Sequence, residues 1–166
     1  MNYISSDAKI SENEIYRYFL KRKWLDNDKV MTYIMLNPSK ADALKDDPTI
    51  RKCVKLAMRE ECGSIYVVNL FALRSSKPAE LYVNNDPVGP ENNFWINKIV
   101  KQSQIIVAAW GNHGHFLNRD IEVLNILKSL GLKLYCLGLN KNGSPKHPLA
   151  RSISIDTKLI KYILNF

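Results

Sequence analysis

The segment Val30-Met-Thr-Tyr-Ile-Met-Leu36 is an apolar run of strand length that stops at Asn37-Pro38-Ser39. A strand buried on both faces reads as a continuous apolar segment, and Pro38 removes the amide that a sheet ladder would need next. The pattern recurs at Ile65–Phe71 with Asn69 near its end, at Gln104–Ala109 before Trp110-Gly111-Asn112, and at Leu132–Leu137 before a polar loop running to Arg151. Helical segments lie between these runs. Asp47 can cap the first, Pro48 suits its opening position, and Ile50, Val54, Ala57 and Met58 recur at helical spacing before Gly63. Further helices are expected over 91–101, 116–130 and 156–164. Strands alternating with helices imply right-handed crossovers and a mostly parallel sheet covered on both faces.

The expected fold is therefore α/β, a three-layer αβα sandwich in which residues 1–166 make one domain. Its centre is a mostly parallel four-stranded sheet with an antiparallel N-terminal edge strand. That edge strand is read over 15–24 from alternating character, with Asp26-Asn27-Asp28 turning the chain into the strand at Val30. Ser11 and Glu14 also form a capping box that would start a helix over 11–23, and the alternation favours the strand.

Open α/β sheets carry their chemistry at the carboxyl ends of the strands. Four polar loops converge there: Asn37-Pro38-Ser39, Asn69-Leu70-Phe71, Trp110-Gly111-Asn112 and Ser144-Pro145-Lys146-His147-Pro148. Asn37 can orient a water through its carbonyl oxygen or cap its own turn, with Pro38 and Ser39 beside any bound substrate. Asn69 offers a donor and an acceptor, which suits the edge of a nucleobase, and Phe71 offers a stacking face or ordinary core packing. Arg74 can bind phosphate or face water. Trp110 can wall a site or pack in the core, and Gly111 permits close backbone approach. His147 can donate to a developing anion, while Ser144 and Lys146 can hold phosphate. Asp42, Asp46 and Asp47 can serve as a general base or hold magnesium, with helix capping the better reading of Asp47. His113 and His115 lack partners at zinc-ligand spacing, so no metal or other cofactor is expected and both are read as loop residues near the site.

Composition narrows the partners. A formal charge of +8 favours a polyanion, and hence nucleic acid or a nucleotide. No apolar run is long enough to cross a bilayer and the N-terminus lacks a signal-peptide layout, so no membrane partner is expected. Cys53, Cys62 and Cys136 are dispersed without CxxC spacing, as expected of reduced thiols in a cytoplasmic protein. Oligomeric state is not legible.

Met35-Leu-Asn37-Pro-Ser-Lys-Ala-Asp42, Asp46-Asp-Pro-Thr-Ile-Arg51, Val68-Asn69-Leu-Phe-Ala-Leu-Arg74 and Asp86-Pro-Val-Gly-Pro-Glu-Asn92 closely resemble the bacterial and phage family DUF1643, from about Tyr16 to Arg151. The family name carries no function. The order strand-Asn-Pro, strand-Asn, strand-Trp-Gly, strand-loop-His-Pro is in addition distantly similar to the uracil-DNA glycosylase superfamily. That resemblance implies that Asn37 positions the hydrolytic water, that Phe71 stacks on the base while Asn69 reads its edge, and that His147 stabilises the leaving base. No aromatic follows Pro38, the last loop lacks a Ser-Pro repeat after His147, and the acidic stretch Asp42 to Asp47 has no place in that pattern.

The expected function is thus a glycosylase-like protein that recognises a nucleobase in nucleic acid or a nucleotide and hydrolyses an N-glycosidic bond. The alternatives are a metal-dependent phosphoryl hydrolase using Asp42, Asp46 and Asp47, and a non-catalytic module that binds nucleic acid or protein.

Overall fold

The computed structural model describes residues 2–39 and 45–162, so Asp42 lies outside the described residues. The chain runs β1 (Ser5–Ile10), β2 (Arg17–Lys23), β3 (Val30–Met35), α1 (Pro48–Arg59), β4 (Ser64–Asn69), α2 (Asn92–Val100), β5 (Ile105–Ala108), α3 (Arg119–Ser129), β6 (Tyr135–Cys136) and β7 (Ile160–Lys161). These strands form one mixed seven-stranded sheet in the order β1-β2-β4-β3-β5-β6-β7. Its four central members, β4, β3, β5 and β6, are mutually parallel. β1, β2 and β7 run antiparallel to their neighbours.

Alternation along the central strands sorts their side chains onto two faces. Met31, Tyr33, Ile65 and Val67 pack with Cys53, Val54 and Ala57 of α1. Ile34, Tyr66 and Val68 pack on the other face with Ile96 and Ile99 of α2 and Val123 and Leu127 of α3. Helices therefore cover both faces. All three cysteines are buried and free. Among the described residues no helix is long and apolar enough to cross a membrane.

The sheet departs from expectation at both edges. β2 is not the edge strand, because the polar segment Ser5–Ile10 pairs outside it, and β2 lies against β4 rather than β3. No apolar pattern marks β1, whose residues are mostly exposed and are held by backbone pairing. The helix expected over 156–164 is absent from its described part, where Ile160–Lys161 instead pairs with β6. A helix of nine residues is marginal alone, whereas the open edge of β6 offers ready backbone partners, including Leu134 O for the Tyr162 N–H at 2.8 Å.

One irregularity bears on the site. Lys9 pairs with Phe19 but Ile10 pairs with Arg17, so Tyr18 is an extra residue in β2, a β-bulge. Without it, alternation would send Arg17 to the face of Phe19, whose ring meets Trp95 of α2 at 5.2 Å. With it, Arg17 turns to the α1 face, beside Val67 and Asn69. Bulges commonly re-aim side chains in this way next to functional sites.

Candidate functional site: a cleft at the carboxyl edge of the sheet

A cleft of about 510 Å³ opens where β3, β4 and β5 end and α1 begins. Small-molecule sites span about 300–1,000 Å³. Asn37, Ser39, Asp47, Asn69, Trp110, Gly111 and His147 all line it. The parallel core is the reason, since it ends these loops on one edge.

Asn37 is oriented by the backbone. Its Nδ2 donates to Ser75 O at 2.9 Å, with longer contacts to Pro38 O and Leu73 O. Because the amide nitrogen faces those carbonyls, Oδ1 must point away from them. Pro38 itself does not line the cleft; its carbonyl accepts from the Ser75 N–H at 2.9 Å and closes the loop beneath Asn37.

Asn69 is 1% exposed, and neither its Nδ2 nor its Oδ1 has a hydrogen-bond partner. An unpaired buried amide costs about 1–3 kcal/mol, so such a group calls for an explanation. The backbone that carries it is firmly held. Asn92 Nδ2 donates to Asn69 O and Leu70 O at 3.0 and 2.9 Å, and Arg119 Nε donates to Leu70 O at 2.6 Å. Buried polar groups of α2 and α3 thus fix the strand end, while the side chain in front of them has no hydrogen-bond partner of its own.

His147 has its Nδ1 accepting from the Leu149 N–H at 3.2 Å, which leaves Nε2 as the N–H donor of the neutral ring. Burial holds its pKa below the ordinary histidine value, with the charge of Asp47 opposing the shift. The folded state therefore resists protonating a ring that the unfolded chain protonates near pH 6.5. His147's contribution to stability is full above that value and is lost as pH falls below it, through the lowered value of the folded state. His147→Gln is expected to flatten this acid limb in urea unfolding measured from pH 7.5 to 5; an unchanged limb would assign it to other groups.

Trp110 is 2% exposed, and its ring meets Tyr162 edge-on at 6.0 Å. Gly111, at φ +72°, donates its N–H to Pro145 O at 2.9 Å, joining the third and fourth loops. Gly114 lies under the indole, where an added Cβ would fall 2.3 Å from Trp110 Cδ1. Its backbone is ordinary, so Gly114→Ala tests packing alone. Overpacking of this kind costs about 1–3 kcal/mol, read as a lower urea midpoint at unchanged m-value.

Asp47 caps α1, with Oδ1 accepting from the Ile50 N–H at 2.8 Å and Oδ2 from Ser39 Oγ at 3.2 Å. Asp46 faces away from the cleft; Arg22 Nε donates to its Oδ1 at 2.9 Å and the Tyr3 hydroxyl donates to its Oδ2. Phe71 is a correction to the expected site. The chain turns after Asn69, and Leu70 and Phe71 both enter the core under α2 and α3, where Phe71 meets Phe116 at 5.7 Å. Arg74 also lies outside the lining, with one guanidinium nitrogen on Glu14 O at 2.8 Å. Lys146 reaches Ser152 Oγ at 2.8 Å instead of the cleft. Ser144 is buried and tied to asparagines, which leaves it unsuited to holding phosphate.

Arg17, Thr49, Asn112, His113 and Asn140 add to the polar lining, beside Ser75 and Ser76. Arg17 follows no apolar run and precedes no strand-end loop, so nothing local marks it, and only the bulge sends it inward. Desolvation pushes its pKa down to about 10, with Asp47 opposing, so it stays charged at neutral pH. His113 is set by its Nδ1, 2.8 Å from the Tyr82 hydroxyl. Among the described residues no group of three His, Cys, Asp or Glu is placed to hold a metal ion.

Neither the curated proteins nor the solved structures contain a match to this chain. The family model described as "Protein of unknown function (DUF1643)" matches residues 17–149, a span that includes every cleft residue named above. The chain belongs to the DUF1643 family.

Proposed function

We propose that this protein binds a nucleobase, carried by nucleic acid or a nucleotide, in the cleft and hydrolyses its N-glycosidic bond. The observation that carries the reading is Asn69, a buried carboxamide with donor and acceptor both unpartnered in a cleft that Asn37 and His147 also line. A carboxamide complements a base edge that presents an acceptor beside a donor, and such a partner would remove the desolvation cost. Trp110, rather than Phe71, supplies the aromatic surface beside the base. The four parallel strands between helical layers accord with a uracil-DNA glycosylase-like sandwich, the charge of +8 accords with a polyanionic partner, and three free buried thiols accord with the cytoplasm.

In this reading a water held by Asn37 Oδ1 attacks the anomeric carbon as the bond to the base nitrogen breaks. The bonding electrons leave with the base, His147 Nε2–H donates to the developing anion, and the base then takes the proton released by the water. This route needs charge stabilisation in a dry site more than a strong base. The test is release of free base, or of abasic sites, from nucleosides and from uracil- and modified-base oligonucleotides. His147→Ala and Asn37→Ala are each expected to slow release about 10²-fold or more, with no effect of chelator. No release and no base binding by the intact protein would sink the reading. Binding without turnover would make this a non-catalytic module, and magnesium- or manganese-dependent phosphate release would favour the phosphoryl hydrolase.

A further inference from the structure

Ser144 is 3% exposed and sits between three asparagines. Its Oγ accepts from Asn140 Nδ2 at 3.1 Å, and its single proton lies between Asn142 Oδ1 at 2.7 Å and Asn112 Oδ1 at 2.9 Å. Backbone bonds hold the same assembly together. Asn140 N–H donates to Ser144 O at 2.8 Å, Gly143 N–H to Asn140 O at 3.0 Å, and Gly111 N–H to Pro145 O at 2.9 Å. Two loops from different strands are thereby fixed to each other around one hydroxyl.

The consequence for the cleft lies in what each amide has left. Asn112 and Asn140 both line it. Asn112 engages Ser144 through its oxygen, so its Nδ2 remains as a donor. Asn140 engages Ser144 through its nitrogen, so its Oδ1 remains as an acceptor. The result is a preorganised donor and acceptor from separate side chains, additional to the Asn69 amide and without formal charge. A group that is at once donor and acceptor suits such a pair, and a sugar hydroxyl is such a group.

We infer that Asn112 and Asn140, set by Ser144, read the 2′-hydroxyl of the sugar attached to the bound base, so that the ligand is a ribonucleoside or ribonucleotide unit. The inference rests on the nucleobase reading for its choice of ligand. Asn112 and Asn140 are contact residues, and Ser144 is a positioning residue. A site built to hydrogen-bond a hydroxyl rejects the analogue that lacks it, because its polar groups are then left unpaired.

The experiment compares, by calorimetric titration of the intact protein, the four common ribonucleosides, their 2′-deoxy counterparts, the free bases and methyl β-D-ribofuranoside. For the base that binds, the ribonucleoside is expected to bind about tenfold tighter than its deoxy form. Asn112→Ala, Asn140→Ala and Ser144→Ala are each expected to shrink that ratio to about threefold or less, and Ser144→Thr, which keeps the hydroxyl, to restore much of it. A purely structural role for Ser144 would weaken ribo and deoxy forms alike and leave the ratio standing, and that result overturns the inference. Equal affinity of the wild-type protein for both forms overturns it too, while leaving the base reading intact. If no free base binds but the ribofuranoside does, and shifts the Asn112 and Asn140 amide signals in ¹⁵N spectra, the base reading fails and the sugar site stands. No binding by any probe overturns both.

Discussion

Asn69→Leu is expected to raise the melting temperature while abolishing ligand binding. The wild-type side chain buries a donor and an acceptor with no partner for either. Replacing an unsatisfied amide by an apolar group of similar size returns the desolvation penalty, about 1–3 kcal/mol. In a chain of this length each kcal/mol moves the midpoint by about 2–4 °C. Binding should move oppositely, since a base edge facing leucine would lose both hydrogen bonds and keep its own desolvation cost. A loss of about 10²-fold or more is expected. Calorimetric melting and base titration read the two effects in one preparation. A variant that melts several degrees lower would show that the amide stabilises the fold, and the functional assignment of Asn69 would fail with it.

Asp46→Ala is expected to destabilise the protein by about 3–5 kcal/mol, the largest effect anticipated for a single surface-adjacent side chain. Arg22 is fully buried, and Asp46 is its carboxylate partner at 2.9 Å. The guanidinium also donates to Lys21 O at 2.9 Å and lies over the Tyr3 ring at 5.6 Å from its centroid. Its second terminal nitrogen has no hydrogen-bond partner. Without Asp46 a buried charge would stand without its counter-ion. Arg22→Met, in contrast, removes the charge together with its need for a partner and is expected to be near neutral. The double variant should recover most of the loss. Urea unfolding of the wild type and the three variants closes the cycle and gives the coupling energy of the pair. A loss below about 1 kcal/mol for Asp46→Ala would place the pair in the weak class of solvated ion pairs. Asp46 immediately precedes the cap of α1, so the single variant should also loosen the helix end that lines the cleft.

Much of this site could be read along the chain. Asn37 and Trp110 directly follow apolar runs, Asn69 closes β4 and His147 lies in the loop after β6, and a parallel sheet delivers such ends to one edge. The cap role of Asp47 was equally legible, because Asp before Pro at a helix start has a local mechanism. Phe71 was not. Two residues beyond Asn69 means the same face only while the strand continues, and here the chain turns into the core. Arg17 was hidden for a related reason, since one extra residue in β2 reverses the face of everything before it.

The α/β class, the parallel centre and the edge where polar loops meet are written in the chain itself, because they follow from local periodicity and chain connectivity. The remaining features come from contacts between distant parts of the chain. Backbone ladders, which are indifferent to side-chain pattern, recruited Ser5–Ile10 and Ile160–Lys161 as extra strands. Burial decided that Asn69 goes unpartnered while Ser144 is bonded to three asparagines. Whether a polar group is satisfied depends on atoms far away in the chain, and no local pattern encodes that.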